Sequence, residues 1–190
     1  MLFVLENAPL LGGCLLALAV IAWVVGARRG SLAVVAVAPA CVVVVLALAI
    51  AAWLVELPSD HALRTVRALV AAAEQANIPA LRSTLANDAT IHMGSFDGHG
   101  SDRARIDRAF ESFRGRHKIE DNSVWSIEGR TLASDRAMVD LTCRTRTASS
   151  LGTVPTQWTF EVVRDPDGNW RIARIAWRAV AGQTPSLSLF

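Results

Sequence analysis

The sequence predicts an α+β domain behind two membrane-spanning helices. Three observations carry that expectation. Charge is absent from two long stretches, residues 7–27 and 30–55, of 21 and 26 residues. Apolar residues then recur at helical spacing between Leu63 and Phe113. From Val124 onward the apolar period drops to about two, the period of a half-buried strand. Helices first and consecutive strands after them predict helices on one face of an antiparallel sheet.

The two uncharged stretches match a bilayer. About 20 apolar residues cross a hydrocarbon core of about 30 Å as a helix. The expected spans are residues 8–27 and 31–55, so 1–56 form a helical hairpin. Of the 36 charged residues, only Glu6, Arg28, Arg29 and Glu56 lie in the first 56 positions. Arg28 and Arg29 sit in the short link, and the positive-inside rule places that link in the cytoplasm. A multi-pass protein of the cell membrane follows, with its domain on the extracytoplasmic side. Trp23 and Trp53 fit the two interfaces. Val25-Gly26-Ala27 resembles a signal-peptide cleavage site, but the start carries Glu6 where such peptides carry basic residues. No ionisable residue falls mid-span, which argues against an ion pathway or proton relay.

The domain is expected over 57–182, with a tail over 183–190. Pro58-Ser59-Asp60 starts a helix whose buried stripe is Leu63, Val66, Leu69, Val70 and Ala73. Asn77 caps a second, short helix with Pro79 in its first turn and Leu81 and Leu85 on one face. Residues 89–93 read as a short strand and 94–100 as a glycine-rich loop. A third helix begins near Ser101 or Asp102 and buries Ile106, Ala109, Phe110 and Phe113, with Gly115 at its end. Residues 124–132 form a strand, with Gly129 a candidate bulge. Ala137, Val139, Leu141 and Cys143 alternate with Met138, Asp140, Thr142 and Arg144 along the next. Two further strands, 157–164 and 170–180, flank the turn Asp165-Pro166-Asp167-Gly168-Asn169. Closing that turn with Asp165 opposite Trp170 sets Val163 opposite Ile172, Glu161 opposite Arg174, Phe160 opposite Ile175 and Trp158 opposite Trp177. It gathers Trp158, Phe160, Val162, Ala173, Ile175 and Trp177 on one apolar face. A slip of one residue would mix the faces.

From about residue 60 to 180 the domain resembles the nuclear transport factor 2-like superfamily, near its SnoaL-like branch. The matching features are the first helix ending in Ala-Glu-Gln-Ala-Asn, Ile78-Pro79-Ala80-Leu81, and Leu85-Ala86-Asn87-Asp88. The helix with Ile106 and Phe110, Asp135-Arg136-Ala137, and Gly168-Asn169-Trp170-Arg171-Ile172 match as well. The resemblance implies about three helices packed on a strongly curved sheet, closed into a cone with a pocket. It implies no single activity, because the fold hosts enzymes, ligand binders and assembly domains.

Enzymes of that superfamily use Asp or His as a base, often with a Tyr, and this chain has no Tyr. The candidates for chemistry are His92, Asp97, His99 and Asp140, since a buried Asp–His pair could move a proton near neutral pH. Asp140 and Arg144 share a strand face and could hold an anion. His92, Asp97 and His99 loosely resemble a zinc set, yet a glycine-rich loop yields such trios by chance, so neither metal nor cofactor is expected. Cys143 alternates with Val139 and Leu141 and reads as core. Trp125, Arg144, Trp158 and Trp177 are the candidate ligand-binding residues. After position 56 the basic and acidic residues nearly balance, 17 against 15, which excludes an electrostatic footprint for nucleic acid. The expected partners are the lipid bilayer, a small apolar ligand, and other membrane subunits or a second copy. Function is expected to be non-catalytic ligand binding or assembly, with a small lyase or isomerase acting on a lipophilic substrate as the alternative.

Overall fold

The computed structural model describes residues 56–112, 114–115, 118–148 and 152–185, with seven isolated helical positions between 17 and 47. The chain divides into two units, Met1–Leu57 and Pro58–Phe190. The expected spans 8–27 and 31–55 lie almost wholly outside the described residues. Among those described, no helix is long and apolar enough to cross a membrane.

The second unit begins with helix α1, Pro58–Glu74. Its buried positions Ala62, Val66, Leu69 and Ala72 form one stripe, and small side chains there let the helix lie close on the sheet. The helix ends in a Schellman motif, in which the Asn77 N–H donates to the Ala72 carbonyl (2.9 Å) and the Ala76 N–H to that of Ala73 (3.0 Å). Ala76 takes φ +50° to close it. Asn77 then caps α2, Ile78–Ser83, by accepting from the Ala80 N–H at 3.2 Å. One residue thus ends one helix and starts the next. Helix α3, Arg103–Ser112, buries Ile106 and Phe110. Phe113 lies outside the described residues.

Five strands follow the order β1-β5-β4-β3-β2. They are β1 Leu85–Met93, β2 Ile119–Ala133, β3 Arg136–Thr147, β4 Val154–Arg164 and β5 Trp170–Val180. β2 to β5 form an antiparallel meander, but β1 pairs with β5 in parallel. The sheet is mixed, not antiparallel as expected. The strand after α2 is separated from its partner by the whole meander, so no local turn signal could have declared its direction. β1 also starts earlier than expected, and Leu85 belongs to it and not to the preceding helix.

The ladder between β4 and β5 follows the expected register at its centre. Trp158 faces Trp177, Phe160 faces Ile175 and Glu161 faces Arg174. Two bulges change the ends. Ala173 is extra between the Glu161 and Val162 pairs, so Val162 meets Ile172, Val163 meets Arg171 and Arg164 meets Trp170. The expected Val163–Ile172 and Asp165–Trp170 pairs are therefore displaced by one residue. The bulge puts Ile172, fully buried, on the apolar face in place of Ala173. Arg178 is extra nearer the other end. Gly129 is no bulge, since it pairs in register with Val139. It is the point where α1 presses on the sheet: a Cβ there would lie 2.9 Å from Leu63 Cγ and 3.1 Å from the Ser59 carbonyl oxygen. The β2 bulges fall instead at Glu120, Trp125 and Leu132. Bulges bend a strand and raise its twist, and here they curve the sheet round α1. The core of Val66, Ile78, Leu81, Ile106, Val139, Val162 and Ile172 fills the space between them.

Candidate functional site

Past that core the helices leave the sheet, and a cavity of about 760 Å³ opens between them. Alternation decides which strand residues face it. Leu141 and Cys143 from β3 share the inner face with Thr156, Trp158 and Phe160 from β4 and Ile175 and Trp177 from β5. Leu69, Val70 and Ala73 of α1 form the opposite wall, and α3 supplies Ile106, Ala109 and Phe110. The indoles of Trp158 and Trp177 lie parallel, 5.0 Å between centroids and 3° between planes. They stack on each other in the cavity wall. A volume near 760 Å³ is within the range of about 300–1,000 Å³ usual for small-molecule sites.

A line of polar groups crosses the floor. The Trp158 Nε1–H donates to Thr156 Oγ1 at 3.0 Å, and Thr156 Oγ1 lies 3.1 Å from Cys143 Sγ. Thr145 Oγ1 donates to Asn122 Oδ1 at 2.8 Å, and Asn122 Nδ2 to the Glu74 carboxylate at 2.8 Å. Each polar atom in this line has a protein partner. Arg105 and Arg108, from the less buried side of α3, complete the lining. No Asp, Glu, His or Tyr is among the described lining residues.

The expected chemical residues lie elsewhere. His92 is buried on the outer face of β1. Its Nε2 meets Thr90 Oγ1 at 3.0 Å, its Nδ1 meets the Gly98 carbonyl at 3.0 Å, and its ring abuts Phe96 edge-on. The Gly98 carbonyl can only accept, so the Nδ1–H donates to it, and the ring pins the 94–100 loop to the sheet. Gly100 packs against it so closely that a Cβ would lie 2.7 Å from the ring. Asp97 accepts from Ser95 within the loop, and His99 is exposed. Among the described residues no three His, Cys, Asp or Glu side chains converge as metal ligands.

Asp140 faces outward and accepts from Thr159 Oγ1 at 2.6 Å, with Arg130 3.8 Å away. With Asp97, Arg130 and Arg178 it lines a smaller outer cleft of about 520 Å³. Nearby, buried Glu161 holds Arg174 at 3.0 Å and Arg136 at 3.1 Å. Arg174 also donates to the Phe96 carbonyl at 2.9 Å and lies over its ring, a second clamp on the same loop. Trp125 and Arg144 pair with each other, the guanidinium 5.0 Å from the ring centroid, on the exposed β2 edge. Trp125 is 61% exposed at its bulge, and neither residue lines the cavity. Of the candidate ligand-binding residues, the cavity thus contains Trp158 and Trp177. Arg105 and Arg108 were not singled out from the sequence, although their spacing beside Ile106 and Ala109 places them on the flank of the buried stripe.

In the turn between β4 and β5 the contacts displace proton affinities. The Asn169 backbone N–H, then the Asn169 side chain and Arg171, hold the Asp167 carboxyl below its ordinary range. Asp165 and then Asp167 hold the Arg171 guanidinium above its own.

No family model and no curated protein sequence matches the chain. Solved structures do. A nuclear transport factor 2-like protein of Cytophaga hutchinsonii superposes with a TM-score of 0.53 at 15% identity, covering 65% of this chain and 99% of that one. A candidate ketosteroid isomerase of Shewanella frigidimarina gives 0.52 at 18% identity, covering 60% and 91%. An uncharacterised protein of Caulobacter vibrioides with a cystatin-like fold gives 0.51 at 16%, covering 68% and 90%. Identities this low establish the fold alone, which is nuclear transport factor 2-like.

Proposed function

We propose that this chain is a membrane-anchored nuclear transport factor 2-like module whose concave cavity binds a small apolar ligand without transforming it. One observation carries the reading: the cavity is apolar and aromatic, and its described lining holds no carboxylate, imidazole or phenol. A general acid or base must stand within hydrogen-bond reach of the proton it moves. His92 and Asp140 are on the far side of the sheet, and His92 is already committed at both ring nitrogens. The Cys143 thiol is buried and shares its polar contact with Thr156. The anchor enters the proposal through the two uncharged stretches, and the extracytoplasmic placement through Arg28 and Arg29. Assembly with another membrane subunit or a second copy is a compatible role, for which β2 offers an open edge bearing exposed Val124, Trp125 and Leu132.

The test is ligand capture. Naphthalene and anthracene derivatives titrated against the full chain should quench tryptophan emission, and Trp158→Ala should abolish the effect in a protein that still folds. Absence of binding by every apolar probe would refute the cavity reading. Loss of cellular function in a normally folded His92→Ala or Asp140→Ala protein would point instead to a small lyase or isomerase. Such a loss should be about 10²–10⁴-fold if a general base is removed.

A further inference from the structure

We propose that the β2 edge pairs with the β2 edge of a second copy of this chain, antiparallel and centred on Gly129, with Glu128 and Arg130 setting the register. The inference stands whether or not the cavity holds a ligand. β2 is an outer strand of the sheet, and among the described residues no other strand pairs with its free side. Such an edge is a row of backbone donors and acceptors ready for another strand. From Ser126 to Thr131 it runs in step with β3, and bulges at Trp125 and Leu132 bound that stretch.

Charge selects both the partner and the register. When two identical strands pair antiparallel, one residue faces its own copy and its two neighbours face each other. Centred on Gly129, the Glu128 of each copy faces the Arg130 of the other, and two opposite-charge pairs form. Centred on Glu128 or on Arg130, like charges meet at the axis, which is destabilising. Centred on Ile127, Glu128 faces Ser126 and Arg130 faces Val124, with no ion pair. Glu128 and Arg130 are both exposed on the outer face. Within its own chain Glu128 stands opposite Asp140, a like charge, and Arg130 lies 3.8 Å from that same Asp140. The second copy's Arg130 brings Glu128 the cation that its own ladder does not place opposite it. The exposed apolar residues fit the same axis. Leu132 is three positions beyond Gly129 and Trp125 four before it, so each Trp125 falls within one residue of the other copy's Leu132. Side chains 61% and 48% exposed are then covered together. The same patch serves both copies, so the contact closes at two.

The experiment follows the mass of the full chain in mild detergent by sedimentation across a series of protein concentrations. The wild type should form a dimer. Glu128→Arg and Arg130→Glu each turn two attractive pairs into two repulsive ones, so each should raise the dimer dissociation constant about tenfold or more. An equimolar mixture of the two variants should associate as tightly as the wild type, because every facing pair is again Arg with Glu. That mixture also shows that both variants are folded. The double variant Glu128→Arg/Arg130→Glu should dimerise with itself for the same reason. A wild type that stays monomeric throughout the series would overturn the proposal. A dimer that survives both single reversals would place the interface on another surface. Two variants that each lose the dimer and fail to associate when mixed would overturn the pairing of Glu128 with Arg130.

Discussion

Ala76 offers a test in which one substitution should change sign within five residues. It closes α1 at φ +50°, a conformation that costs an L-residue about 1–2 kcal/mol relative to the right-handed region. Glycine escapes that cost but loses more backbone freedom on folding, about 0.5–1 kcal/mol. Ala76→Gly should therefore stabilise the domain by about 0.5–1 kcal/mol. Ala71 is exposed within α1 and its carbonyl accepts from the Gln75 N–H at 3.2 Å. There the left-handed cost is absent and only the entropy remains, so Ala71→Gly should destabilise by about 0.5–1 kcal/mol. The measurement is urea unfolding of the full chain in mild detergent, read from sheet circular dichroism. The two midpoints should move in opposite directions with the slope unchanged. A fall in midpoint for Ala76→Gly equal to that for Ala71→Gly would refute the Schellman closure of α1.

Further outcomes follow from particular contacts. Gly129→Ala drives a Cβ to 2.9 Å from Leu63 Cγ, so it should cost about 1–3 kcal/mol. Combined with Leu63→Ala in a double-mutant cycle, its loss should be less than additive. Asp167 is held below its unfolded value by Asn169 and Arg171, so its contribution is present above about pH 4 and lost as pH falls through the folded value. Asp167→Asn should flatten that part of the acid limb in melting temperature between about pH 2 and pH 6, and an unchanged acid limb would show that the turn does not titrate this way. For the anchor, an impermeant thiol reagent should label a cysteine introduced in residues 183–190 of intact cells. Labelling only after lysis would place the domain in the cytoplasm.

Local patterns carried much of this domain. Alternation along residues 137–143 and 158–162 identified the inner face of β3 and β4, and with it Trp158, and the expected β4–β5 register brought Trp177 beside it. The same reasoning misjudged the turn end of β5, because one inserted residue reverses the parity of everything beyond it. Ala173 shifts the turn end of β5 that way. Trp125 is itself the extra residue, which is why it sits exposed on the β2 edge. Neither bulge has a glycine to mark it. Ala76 likewise closes a helix where glycine would have announced the end. The parallel pairing of β1, and the turning of the α3 carboxylates toward Arg82, depend on residues distant in sequence, and no short window contains them.

The parallel pairing of β1 has a consequence for synthesis and for truncation. Ile91 finds its partner Ile175 only after the meander has been made. Contacts this distant in sequence are slow to form, and β1 must wait with Leu85, Ala86, Ala89 and Ile91 unburied while β2, β3 and β4 leave the ribosome. The last strand to emerge is also an inner strand, lying between β1 and β4. A chain stopped before Trp170 would not lose an edge. It would lose the strand that joins the two parts of the sheet, leaving β1 without a neighbouring strand and β4 as a raw apolar margin open to other chains. Quality control should therefore read a premature stop in the final stretch of this domain as severely as one near its start.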